Sequence, residues 1–133
     1  MKWLAYFYGL FIVIIIVLAD TRKLGFLYAF YDFPFGDKIG HLFIFGLLSL
    51  VVNLSVLSIK SLANNPIYME LSIKRVVIKT SFVLAVFVGL EEFSQRWFAS
   101  RTADLVDLSA SYVGIAVFAF LALKIMNKRS RSL

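Results

Sequence analysis

An all-α integral membrane bundle of four transmembrane helices is the fold class this sequence predicts, and three observations predict it. Apolar residues make up 61% of the 133-residue chain, well above the roughly 45–50% of soluble domains. The excess is gathered in four long runs, each bounded by charged residues. No run alternates strictly between apolar and polar positions as a barrel strand must, so helix is the way for each run to satisfy its backbone in lipid. The length suits a single membrane domain over residues 1–133.

The first helix is expected over about 3–19, WLAYFYGLFIVIIIVLA, which carries no charge. Trp3, Tyr6, Phe7 and Tyr8 at its start suit an interfacial belt. Lys2 and the Val17-Leu18-Ala19 end also fit a secretory leader, but the run is longer than a usual leader core. Retention as a span is the expectation. The outer loop that follows holds GFLYAFYDFPFG. Its aromatics, broken by Pro34 and Gly36, suit the membrane interface.

The second helix is expected over 40–59. The third starts near Val76 and must run on to about Gln95, since Val76–Leu90 alone would reach only about 22 Å of the roughly 30 Å of hydrocarbon. The middle loop, Lys60–Arg75, contains the turn signal Asn64-Asn65-Pro66. The fourth helix covers about 105–123, and a basic tail, 124–133, follows.

Direction comes from the cations. The N-terminus, middle loop and tail share one side and hold nine Lys and Arg; the other side holds five. Both termini are therefore expected in the cytoplasm. The acids sort more sharply: Glu70 alone lies on the cytoplasmic side, and the other seven lie outside. The net charge of +6 sits at the ends of apolar runs and not in a stripe, so it predicts contact with anionic lipid, not nucleic acid. With no cysteine, disulfides and thiolate metal sites are excluded.

Three polar pieces fall on the outer side. Asp37 and His41 are four apart and share a helical face, with Lys38 beside them. Glu92 and Gln95 do the same at three apart. Asp107, Ser111 and Gly114 form one stripe on the fourth helix. Each has a plain structural role open to it: Asp37 and Asp104 as helix caps, His41 as an interfacial residue, Ser111 and Gly114 as small packing residues, and Glu91 as a solvated end. Glu92 and Asp107 demand more, because a carboxylate beside hydrocarbon persists only if paired, protonated or facing water. Arg101 is the nearest partner along the chain, as a guanidinium can grip a carboxylate with two bonds.

The order and spacing Asp37-Lys38-x-x-His41, Glu92-x-x-Gln95 and Arg101-x5-Asp107-x3-Ser111-x2-Gly114 resemble the VanZ-like family, over most of the chain from 37 to about 120. Where that family usually has asparagine, this chain has Ser111. The resemblance implies a bacterial cell-envelope protein of the inner membrane. It also implies a bearing on glycopeptide susceptibility, since the founding member is associated with teicoplanin resistance.

Two kinds of function compete. In the first, the cluster binds or modifies an anionic lipid or wall-precursor headgroup, or a glycopeptide-type ligand. Asp37, Lys38, Gln95, Arg101 and Ser111 would then bind, with His41, Glu92 and Asp107 as candidate acid–base groups. No metal or other cofactor is expected. In the second, the cluster locks the helices together and the aromatic loop meets a partner. Transport ranks behind both, since Asn53 and its neighbouring serines extend the polar path only part of the way.

Overall fold

The computed structural model describes residues 36–59, 65–97 and 104–132, with positions 3, 6, 7, 9–11, 13 and 14 of the first apolar run. Three helices form its body: α1, Gly36–Ile59; α2, Pro66–Ser94; and α3, Leu105–Arg131. A 3-10 turn, Gln95–Trp97, closes α2. The described positions of the first run are helical as well, and no strand occurs among the described residues. The aromatic outer loop up to Phe35 and residues 98–103, Arg101 included, lie outside them.

Among the described residues, two helices are long and apolar enough to cross a membrane, through Lys38–Leu57 and Leu105–Arg131. α2 is longer, at 29 residues, but carries Glu70, Lys74, Arg75 and Lys79 in its first half and Glu91 and Glu92 in its last turn. It also starts earlier than expected. Pro66–Arg75, read from the sequence as loop, is helix. The turn signal is a helix start: Asn65 is extended (φ −84°, ψ 129°), its side chain accepts from the Ile67 N–H at 3.0 Å, and Pro66 takes a first-turn place where its missing N–H costs nothing. Replacing Asn65 by Ala should cost about 1 kcal/mol in thermal unfolding followed by circular dichroism, and Asp should restore it. At the other end of the chain, the expected tail continues α3 through Lys128, Arg129 and Arg131. Lys and Arg are good helix formers, and cations suit a helix C-terminus.

The interior mixes polar with apolar residues, and large apolar side chains also stand outside. Ser49, Asn53, Glu92, Gln95, Asp107 and Ser111 are buried, while Phe82, Phe87 and Phe120 stand out from the surface. Such an apolar exterior around a polar seam suits lipid, not water. Each helix buries one stripe. On α3 it is Asp107, Ser111, Gly114, Ile115, Ala119 and Ala122, spaced at the helical period. Its small residues let α1 come close, and α1 on α3 is the most extensive contact.

Cross-contacts give the directions. His41 meets Ser111, and Ser49 meets Ile115, so α1 and α3 run parallel. Asn53 meets Ser81 and Asp104 meets Glu92, so α2 runs against them. Phe45, Leu48, Val88 and Ile115 form one apolar cluster; Leu57, Ile73, Val76, Val77 and Ala119 form the other. Beyond the second lies a basic end with Lys74, Arg75, Lys128, Arg129 and Arg131. Its acid, Glu70, is held below the usual carboxylate range by the Lys74 ammonium, at 2.9 Å.

Candidate functional site

Three chain segments meet at the other end. α1 brings Lys38 and His41 in its first turns. α2 brings Glu91 and Glu92 in its last turn, and Gln95 follows in the 3-10 turn. α3 brings Asp104 at its cap, then Asp107 and Ser111. Asp37 is helical in backbone within α1 and so is not that helix's cap, contrary to the sequence expectation. Asp104 is a cap as expected: it is extended (φ −119°, ψ 117°) and accepts from the Val106 N–H at 2.8 Å.

Among the described residues, Asp107 pairs with Lys38. Its Nζ lies 3.1 Å from Asp107 Oδ1 and 3.4 Å from Asp104 Oδ2, so one ammonium joins α1 to two acids of α3. The helical register places Lys38 against the first turn of α3; Arg101, the partner expected from sequence proximity, lies outside the described residues. Glu92 is held differently. Its Oε1 accepts the Asp104 backbone N–H at 2.7 Å, and its Oε2 accepts from Gln95 Nε2 at 3.2 Å. Gln95 also donates to Glu91 Oε1 at 2.9 Å. Thus Glu92, at 4% exposure, is a buried carboxylate satisfied by two donors.

Ser111 is fully buried, with its Oγ 3.0 Å from the Asp107 carbonyl oxygen and 3.2 Å from His41 Nδ1. The Ser111 hydroxyl can give its proton to that carbonyl or to His41, according to the imidazole tautomer. Among the described residues, no group of three or more His, Asp or Glu could hold a metal ion. Outside the cluster, the Arg96 guanidinium stacks over the Phe93 ring at 5.0 Å, and Trp97 meets that ring edge-on.

The structure therefore brings together Lys38, His41, Glu92, Gln95, Asp107 and Ser111. The side chain of Asp37, like all of Arg101, is outside the described residues. Asp104, read from the sequence only as a cap, is a full member. Its three-residue spacing from Asp107, one helical face, was the signal for it.

The Val106 N–H, and after it the Lys38 ammonium, hold the Asp104 carboxyl below its usual range against a smaller opposing effect of burial. A depressed carboxylate stabilises the fold above its unfolded pKa, about 3.9, and that gain disappears as pH falls through the folded value. The melting-temperature advantage of wild type over Asp104→Ala should accordingly be constant near neutral pH and shrink only below about pH 4.

No protein-family model matches the chain, and no solved structure matches it. The chain is similar to an uncharacterized protein of the fission yeast Schizosaccharomyces pombe, at 33% identity over 118 residues, covering 88% of this chain and 64% of the relative. It spans less than two thirds of that protein's length.

Proposed function

We propose that this chain is a VanZ-like, four-span integral membrane protein of the cell envelope, with its polar cluster at the outer face as a binding site for a lipid headgroup. The observation that carries this reading is the convergence of Lys38, His41, Glu92, Gln95, Asp107 and Ser111, which belong to three separate motifs, on one end of the bundle. The site is graded: the Lys38 and Asp104 side chains remain 27% and 41% exposed at the rim, above a buried floor of Glu92, Gln95 and Ser111.

Topology follows the same reading. Parallel α1 and α3 with antiparallel α2 is the order that consecutive crossings produce. Under this reading the basic end, opposite the cluster, faces the cytoplasm together with both termini, as an excess of Lys and Arg favours. The bacterial inner membrane is the setting that the family resemblance implies. The relative is a yeast protein, however, and a membrane-lipid headgroup is a ligand common to both kinds of cell. It is thus a simpler choice than a bacterial wall precursor, and glycopeptide susceptibility becomes a secondary consequence. Lys38 is already engaged by two carboxylates, so a phosphate must draw on Arg101 or displace them.

The test is purification with retained lipid and mass spectrometry of what remains. One headgroup class should be enriched on wild type and lost from Lys38→Ala and Arg101→Ala variants that still fold. Equal lipid content in all three would end the binding reading. Turnover of that lipid, abolished by His41→Ala, would make the site catalytic.

A second reading has its own observation. The Lys38 bridge to Asp104 and Asp107, with Glu92 on the Asp104 amide, joins all three helices. A cluster that only locks the bundle predicts that Asp107→Asn lowers stability and leaves bound lipid unchanged.

A further inference from the structure

A second polar site lies mid-bundle, between the two apolar clusters. Asn53 of α1 is fully buried. Its Nδ2 lies 2.9 Å from the Ser49 carbonyl, 3.3 Å from Ser49 Oγ and 3.2 Å from Ser81 Oγ of α2. The Ser49 carbonyl can only accept, so the amide orientation is settled: the nitrogen faces these groups and Oδ1 faces away. Ser49 Oγ spends its proton on the Ile115 carbonyl of α3 at 3.1 Å. Asn53 Oδ1 is left buried with no donor among the described residues. A buried acceptor in that state keeps its full desolvation penalty, a strong pressure to take up a donor.

The chemistry around it defines that donor. Ser81 Oγ accepts from Asn53 and keeps its own proton to give. The site therefore offers one acceptor and one donor. Amide bond lengths put Oδ1 about 2.3 Å from Nδ2, so Oδ1 lies no more than about 5.5 Å from Ser81 Oγ. Two hydrogen bonds of about 2.8 Å to one oxygen cover that distance. Larger molecules are poorly suited, because Leu57, Val77, Ser49 and Asn53 are all closed to solvent.

We infer that this seam binds one water molecule, which donates to Asn53 Oδ1 and accepts from the Ser81 hydroxyl, bridging α1 to α2. This goes beyond the headgroup reading and does not rest on it. Buried waters characteristically serve such otherwise unsatisfied groups, and α1 on α2 is the least extensive of the three helix–helix contacts, where a polar bridge has most to add.

The test is a crystal structure of the full chain in a lipidic phase, at a resolution that shows ordered water, for wild type and Ser81→Ala. A single water at hydrogen-bonding distance from both Asn53 Oδ1 and Ser81 Oγ is expected, and its loss from Ser81→Ala. A protein donor on Oδ1, an apolar gap beside it, or a water that persists unmoved in Ser81→Ala would overturn the inference. If Ser81→Ala does not fold, the wild-type density decides alone.

Discussion

Gly114→Val should separate α1 from α3 and cause a large loss of stability. A Cβ at Gly114 would overlap the Leu42 carbonyl oxygen and meet Leu42 C at 3.0 Å and Cα at 3.1 Å. All three are backbone atoms of a helix, so none can turn aside. Overpacking of this kind costs typically 1–3 kcal/mol and occasionally more. Gly114→Ala gains about 1 kcal/mol of helix propensity in return, so Val should fall at the upper end and Ala lower. Gly46→Ala is the informative comparison. Its Cβ would meet the Phe118 ring at 2.5 Å, and a ring on a half-buried side chain can move. Unfolding of the purified protein by denaturing detergent, read by circular dichroism, should rank wild type above Gly46→Ala, above Gly114→Ala, above Gly114→Val. Equal stability of Gly114→Val and wild type would show that α1 and α3 do not touch there.

The second large effect is expected at Glu92. Glu92→Ala removes the acceptor for two donors, the Asp104 backbone N–H and Gln95 Nε2. Each buried donor left unpaired costs about 1–3 kcal/mol, and Gln95 keeps Glu91 as a second acceptor. A net loss of about 3 kcal/mol is expected. Glu92→Gln should lose less, since its amide oxygen can still accept from Asp104 while its nitrogen faces the Gln95 nitrogen. Hydrogen exchange would locate the damage: the Asp104 amide should exchange faster in Glu92→Ala, with the basic end of α2 and α3 little changed. If protection at Asp104 is unaltered, Glu92 does not hold the turn between α2 and α3.

Much of this architecture was legible beforehand. The apolar runs located α1 and α3, because a long apolar run bounded by charges favours a helix, which satisfies its own backbone. Helical spacing also put Asp107, Ser111 and Gly114 on one stripe, and all three are buried. The start of α2 was misread for a local reason: Asn-Pro serves equally as a turn and as a cap followed by a first-turn proline. The partner of Asp107 was hidden for a different reason. Lys38 lies 69 residues away, and only the parallel register of α1 and α3 brings them together.

The sequence by itself determined an apolar, helical chain with acids gathered toward one end and bases toward the other, because composition and the 3.6-residue period are local properties. Tertiary structure alone decided which charges meet, that Ser111 meets His41, and that Asn53 Oδ1 is buried without a donor among the described residues. Those outcomes depend on how far one helix slides along another. Here the slide is set by small residues such as Gly114 against Leu42, and a shift of one helical turn, about 5.4 Å, would exchange every partner.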